Sequence, residues 1–461
     1  MVTSGVFQTI NPATGEVLAE HPTIDDGDVD GIVTKSRDAF ASWRSLTIEE
    51  RAAKVEKLVS LLEDNADELA SIMTKDMGKP LTEAKEETEF SAEIFRYYAT
   101  NGPTFAADQQ VNEDDETISY IQRRPVGPLL GIMPWNFPYY QIARFAAPNL
   151  VLGNTIILKH AESCPESALA MQRMMDQAGI PEGVYQNVFA THDQISAFIA
   201  HPHIQGVSLT GSERAGAAIA EQAGKHLKKA VLELGGSDPY VILSTDDVKA
   251  AAQQAFAVRM ENTGQSCNSN KRMIVMDDIY DDFVAEMVSL ASNLKPGDPS
   301  QPDATAYSPL SSAKAAEGLM AQLQRAKDAG ATVHVGGDRP DLPGFYVQPT
   351  VLTDVPQGSE IYYEEFFGPV INIFRVESDE QALQLANDTQ YGLGSAVFAT
   401  DPDRARKFAD GLEAGMVGAN TSPEESAEVP FGGVKRSGYG RELGPVGMDE
   451  FVNKRLLTVK K

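Results

Sequence analysis

The chain has 461 residues, 42% of them hydrophobic and 23% charged, which suits a soluble globular protein with room for two or more domains and a large core. Lys plus Arg number 39 against 66 Asp plus Glu, and the resulting net charge of −27 repels phosphate backbones and anionic lipid, which argues against nucleic-acid or membrane partners. No apolar run approaches a membrane span, no secretory leader is read before Asn11, and two cysteines make no disulfide framework, so a reducing cytoplasm is the expected setting.

Residues 29–43 and 48–73 carry apolar side chains at three- and four-residue spacing, which predicts helices ending by Gly78-Lys79-Pro80. Residues 117–123 alternate in the manner of an exposed strand. From Leu129 onward short apolar runs alternate with helical stretches: strands over 155–159, 206–210 and 230–234, helices over 165–178 and 216–223. Such alternation predicts a parallel sheet with helices on both faces. The pattern restarts after Gly236, with strands over 240–243 and 272–276, so Gly235-Gly236 is the expected domain boundary. Residues 456–460 read as an edge strand that needs covering by another subunit. Cys164, just ahead of Pro165 at an expected helix start, reads as structural.

Three segments carry candidate chemistry. Asn262-Thr263-Gly264-Gln265-Ser266-Cys267 sets a cysteine among small and polar residues, whereas a core thiol packs among apolar ones. That environment suits a nucleophile, since attack requires a thiolate that substrate can reach. Glu233 lies in the apolar run 231–234 ahead of paired glycines. Burial there raises a carboxyl pKa, as a general base working near neutrality requires. Without the cysteine, a strand carboxylate taking backbone hydrogen bonds at a turn is the commoner outcome. In Pro134-Trp135-Asn136-Phe137-Pro138, two prolines and two aromatics hold one amide in a stiff turn that can aim its NH2 at a developing oxyanion. A structural Asn satisfying the loop is the alternative.

These segments, together with Asn11-Pro12-Ala13-Thr14-Gly15-Glu16, Leu158-Lys159-His160-Ala161-Glu162, Ser208-Leu209-Thr210-Gly211-Ser212, Glu364-Glu365-Phe366-Phe367-Gly368-Pro369 and Pro430-Phe431-Gly432-Gly433-Val434-Lys435, resemble the aldehyde dehydrogenase superfamily almost end to end. Within it, residues 234–239 and 433–443 look most like bacterial succinate-semialdehyde dehydrogenases. The resemblance implies an α/β fold with two Rossmann-like parallel-sheet domains plus a small β oligomerisation element. Residues 1–115 and 128–235 would form the dinucleotide domain, 236–432 the catalytic domain, and 116–127 with 433–461 the oligomerisation element of a homodimer or homotetramer. It further implies NAD(P)-dependent oxidation of an aldehyde to a carboxylic acid through a thioester on Cys267. Asn136 and the Cys267 N–H would hold the oxyanion, and Glu233 would activate the hydrolytic water. Succinate semialdehyde is the expected substrate, with another aliphatic, semialdehyde or amino-bearing aldehyde as the alternative. A non-catalytic protein on this fold would predict loss of Cys267, Glu233 or Asn136, and all three are present.

No Gly-x-Gly-x-x-Gly follows any expected strand. Instead Gly211 and Ser212 end one strand and open a helix whose free N–H groups suit a pyrophosphate. The resemblance places the dinucleotide there and adds Trp135 and Leu234 to its site. Lys159 and Glu162 match positions that hold the adenosine ribose, and Glu365 and Phe367 match those that hold the nicotinamide ribose and ring. A carboxylate at Glu162 accepts ribose hydroxyls and repels a 2′-phosphate, so NAD is expected, with NADP as the alternative. No metal is expected. Arg144 stands where semialdehyde enzymes place an arginine for the distal carboxylate. Two features pull against that role: Glu261, where some relatives carry a second arginine, and the acidic segment 423–428.

Overall fold

The computed structural model describes residues 6–301 and 303–461. Residues 1–5, part of the segment read as lacking a secretory leader, lie outside the described residues. Near the N-terminus lie three helices, Asp28–Trp43, Ile48–Asp64 and Ala66–Met77; the second and third turn their apolar stripes to one core, which Trp43 joins, while Val29 and Val33 of the first enter another. Thr47 and Glu50 close a reciprocal capping box at the start of the second helix. The single helix expected over 48–73 is two, because Asn65 leaves helical geometry (φ −110°, ψ 16°) and returns its side-chain N–H to the Leu61 carbonyl at 2.7 Å. Gly78, at φ +81°, ends the third helix in the left-handed conformation that glycine adopts without strain. A 25-residue helix, Leu81–Phe105, follows; its periodicity escaped the sequence reading because its buried face is largely small or polar, including Ala84, Glu87, Thr88, Ser91 and Ala92.

Two sheets carry the site. The first runs, from edge to edge, Gly438–Tyr439, Lys229–Glu233, Gly206–Thr210, Pro128–Ile132, Thr155–Lys159 and Tyr185–Asn187, and is parallel except at its C-terminal contributor. Its inner strands are buried along most of their length, as helices on both faces require. Chain order reverses between Pro128–Ile132 and Gly206–Thr210, which opens a crevice beyond the carboxyl ends of those strands. The second sheet orders Thr332–Val335, Thr350–Thr353, Val370–Val376, Arg272–Met276, Pro239–Ile242, Gly394–Phe398 and Met416–Ala419, with only the first strand antiparallel. The chain leaves the first sheet at Glu233 and enters the second at Pro239, crossing at Gly235-Gly236.

A third sheet pairs Thr117–Pro125 with Val452–Lys460 on one side and Gln109–Glu113 on the other. Gln109–Glu113 thus joins the strand that follows it although it lies within the segment assigned to the dinucleotide domain, and Gly438–Tyr439 returns to the first sheet. Val452–Lys460 is an edge, with Leu456 69% exposed. Among the described residues no helix is long and apolar enough to cross a membrane.

Candidate active site

Three successive residues before the cysteine loop, Asn262, Thr263 and Gly264, take positive φ (48°, 55° and 74°). For a β-branched threonine that conformation is costly, and its surroundings hold it in place. The Asn262 side chain donates to the Asn136 carbonyl at 2.9 Å, and its backbone N–H donates to Glu83 at 2.6 Å. Gln265 donates to the Asn262 carbonyl at 3.0 Å and accepts from the Ser311 N–H at 2.9 Å. A Cβ on Gly264 would collide with the Gly368 carbonyl. This bend delivers Cys267 half-buried into a cavity of about 150 Å³. Cys164 is fully buried at the cap of the Pro165–Gln177 helix.

Asn136 follows the Pro128–Ile132 strand and donates to the Gln265 carbonyl at 3.1 Å, which ties the amide to the loop carrying Cys267. Its NH2 retains a second proton for another acceptor. Glu233 ends its strand 2% exposed, and neither carboxylate oxygen has a hydrogen-bond partner among the described residues. Burial first, then repulsion from Glu442, holds this carboxyl well above the usual carboxylate range, against the pull of Arg144 and Arg441. Cys267 is similarly affected. Burial pushes its thiol up to about 12, with Arg144 and Lys271 favouring the thiolate and Glu365 and Glu233 opposing it. The thiol of the ligand-free chain is therefore protonated at neutral pH, because burial outweighs the pull of both cations.

Arg144 does not line the cavity. Its side chain is fully buried behind Tyr140 and Phe431, whose ring centres lie 4.6 and 4.1 Å from the guanidinium carbon. Nε pairs with Glu442 at 2.7 Å, while the remaining nitrogens donate to Gln141 at 2.6 Å and the Tyr140 hydroxyl at 3.3 Å. The cavity wall instead presents Glu83, Glu86, Glu87, Glu261 and Glu425 beside Phe90 and Phe137. Glu425, from the acidic segment, accepts from Asn268 next to Cys267.

The dinucleotide candidates gather at the crevice of the first sheet. Ser212 caps the Glu213–Lys225 helix by accepting from the Ala215 N–H at 3.3 Å. Leu234 packs against Gly216, where a Cβ would sit 2.6 Å from its methyls. Lys159 ends its strand with Nζ 3.6 Å from Glu162, whose side chain is 47% exposed. Across the crevice the Trp135 and Phe367 rings meet edge to face, 5.6 Å between centres. Glu365 accepts from the Gly236 N–H at 3.1 Å, and a Cβ on Gly235 would collide with its carboxylate. The donor set fits a dinucleotide: the Thr210 hydroxyl is buried without a partner among the described residues beside the helix start, where phosphate oxygens find free N–H groups. No group of three or more His, Cys, Asp or Glu among the described residues could hold a metal ion.

Sequence reasoning missed three buried ions. Arg259 donates to the carbonyls of Gly264, Phe366, Gly368 and Val370 and to the Ser269 hydroxyl, binding the cysteine loop to the Glu365 loop. Lys271 is 2% exposed and Glu442 5%. The only sequence signal for Lys271 is a cation abutting the apolar strand that begins at Arg272.

The profile of the aldehyde dehydrogenase family matches residues 2–457. A succinate-semialdehyde dehydrogenase [NADP(+)] of Deinococcus radiodurans is 48% identical over 98% of this chain and 94% of its own. The crystal structure of succinic semialdehyde dehydrogenase from Streptococcus pyogenes in complex with NADP+ superposes with a TM-score of 0.95 at 41% identity, covering 99% of this chain and 100% of that one. Betaine aldehyde dehydrogenase from Staphylococcus aureus, in complex with NAD+, gives a TM-score of 0.95 at 30% identity over 98% of this chain and 91% of its own. The expectation drawn from the motifs is met across fold and sequence alike, and the chain belongs to the aldehyde dehydrogenase family.

Proposed function

We propose that this aldehyde dehydrogenase converts succinate semialdehyde to succinate, with Cys267 as nucleophile, Asn136 as oxyanion donor and Glu233 as the base for hydrolysis. The convergence of these three groups is the observation that supports the chemistry, and the 48% identical relative named for that substrate supports the choice of aldehyde. Cys267 Sγ, deprotonated, attacks the carbonyl carbon, while the Asn136 NH2 and the Cys267 N–H stabilise the negative oxygen. A nicotinamide dinucleotide supplies the hydride acceptor when bound. Glu233 then takes a proton from the water that cleaves the thioester, and the thiol is regenerated.

The Deinococcus radiodurans relative's name specifies NADP(+), yet Glu162 places a carboxylate beside Lys159, where a 2′-phosphate would be repelled; the proposed cofactor is NAD. A homodimer or homotetramer assembled partly through Val452–Lys460 is proposed, since the strand is an open edge with Leu456 exposed. A reducing cytoplasm is the proposed setting, in keeping with two unpaired thiols.

An amino-bearing aldehyde is the second reading. Five carboxylates line the cavity, and Arg144, paired with Glu442, is not among its lining residues. NADH formation across succinate semialdehyde, glutarate semialdehyde, a simple aliphatic aldehyde and an aminoaldehyde decides between them. The highest kcat/KM for the aminoaldehyde would replace the first reading with the second.

A further inference from the structure

The Lys271 ammonium carries three N–H donors, and three oxygen acceptors face it. Its Nζ lies 2.7 Å from the Ser266 carbonyl, 2.7 Å from the Cys267 carbonyl and 3.0 Å from Glu365 Oε1. A fully buried ammonium persists only when its charge and every N–H are met, and here one carboxylate and two carbonyls meet them. The same carboxylate oxygen accepts from Gly236, in the linker between the two sheets. That linker in turn presses on the nucleophile's own residue: a Cβ on Gly236 would sit 2.5 Å from the Cys267 carbonyl oxygen. One cation therefore joins the cysteine loop, the Glu365 loop and, through Glu365, the linker between the sheets.

We propose that Lys271 is a positioning residue that couples occupancy of Glu365 to the state of Cys267. Without cofactor, Lys271 divides its charge between Glu365 and the two carbonyls of the nucleophile loop. A ribose hydroxyl bonded to Glu365 competes for the same carboxylate and leaves Lys271 more fully to the Ser266 and Cys267 carbonyls, with its positive field concentrated on the thiol. The charged groups acting on Cys267 are Arg144 and Lys271 in favour of the thiolate, and Glu365 and Glu233 against it, with the five glutamates of the cavity wall nearby and the buried Asp238 acting on Lys271 itself. Arg144 is committed to Glu442, so Lys271 is the cation whose partner the cofactor can take. The inference rests on the reading of Cys267 as nucleophile and Glu365 as ribose carboxylate.

The test is alkylation of Cys267 by iodoacetamide between about pH 7 and 11, mapped by mass spectrometry, in wild type, K271M, K271R and E365Q. Each is labelled alone and with NADH at a concentration that saturates by fluorescence. NADH is the probe because its neutral ring exerts no direct charge on the thiol. The pH midpoint is read rather than the rate, since bound cofactor also shields the sulfur. In wild type alone the rate is expected still to be rising at the top of the range, and NADH to bring the midpoint down into it. K271M is expected to show no midpoint within the range with or without NADH, and a KM for NAD raised several-fold more than kcat falls. K271R should recover most of the NADH response. A K271M protein that labels and responds as wild type, with its loss confined to thermal stability, overturns the proposal. Should K271M fail to fold, E365Q decides: loss of the NADH response supports the link, and a wild-type response overturns it. Activity loss in step with Cys267 labelling of the wild type tests the identity of the nucleophile separately.

Discussion

Arg144 and Glu442 form an ion pair at 2.7 Å with both side chains buried, and Glu233 sits within reach of both charges. Glu442 pushes the Glu233 carboxyl up and Arg144 pulls it down. Each of these ions is therefore held by its neighbours, and a change in one is felt at Glu233.

Glu233 has no hydrogen-bond partner to orient it among the described residues, and its carboxyl is shifted in the direction a general base needs. Glu233→Gln is expected to retain a burst of NADH while steady turnover falls by roughly 10²–10⁴-fold. Rapid-mixing absorbance at the NADH band checks this. Loss of the burst together with turnover would assign Glu233 to an earlier step.

Asp76, 1% exposed, accepts from the Thr9 hydroxyl and from the N–H and hydroxyl of Ser167, each at 2.7 Å. Burial outweighs those bonds and raises its carboxyl from 3.8 to about 6. The folded chain thus holds this proton more tightly than the unfolded one. Its contribution to stability is fully present below the unfolded pKa and is lost as pH rises through the folded one. Relative to Asp76→Asn, wild type is expected to lose on the order of 3 kcal/mol across that window. Thermal melts of both proteins at closely spaced pH values measure it; a difference that stays flat with pH would refute the assignment.

How much of this was legible in the sequence depends on what buries each residue. The strands Thr155–Lys159, Gly206–Thr210 and Arg272–Met276 were read to their bounds because a strand covered on both faces is a continuous apolar run. Leu81–Phe105 was not, since charged residues interrupt a buried face of small and polar ones. Cys267, Glu233 and Asn136 stood out through their local surroundings and their resemblance to family motifs. The ions that hold them did not. Arg259, Lys271 and Glu442 find partners on distant segments, and from sequence alone a Lys, Arg or Glu reads as solvated.

Glu162 projects from the turn after the Thr155–Lys159 strand, and its carboxylate lies 3.6 Å from Lys159. Replacing it with Ser removes the negative charge that opposes a 2′-phosphate and leaves Lys159 free to pair with one. Glu162→Ser is expected to raise kcat/KM for NADP relative to NAD. A wild-type enzyme already faster with NADP would move that control to another residue.

Leu456 is the most exposed large apolar side chain of the Val452–Lys460 edge. Leu456→Glu places a charge on the surface proposed to pair subunits, and is expected to shift the protein from dimer or tetramer toward monomer in light scattering at micromolar concentration. A wild-type monomer would remove the basis of the assembly.

Arg144 is the most consequential of the substitutions, because its two roles predict different data. As the counter-ion of Glu442 its loss leaves buried carboxylates uncompensated, which costs about 3–5 kcal/mol of stability and raises the Glu233 carboxyl further. Turnover of every aldehyde then falls together. As the anchor of a distal carboxylate its loss costs roughly 2–5 kcal/mol of transition-state binding for succinate semialdehyde and almost nothing for an uncharged aldehyde of similar length. Arg144→Ala alone mixes the two, so the informative comparison is the ratio of kcat/KM between those substrates. The double variant Arg144→Met with Glu442→Gln removes both buried charges and relieves the stability cost. If that variant folds as wild type and still loses succinate semialdehyde selectively, Arg144 releases Glu442 to bind substrate. If the ratio is unchanged, Arg144 serves the fold and the base alone, and the carboxylate-lined cavity directs the search to cationic aldehydes.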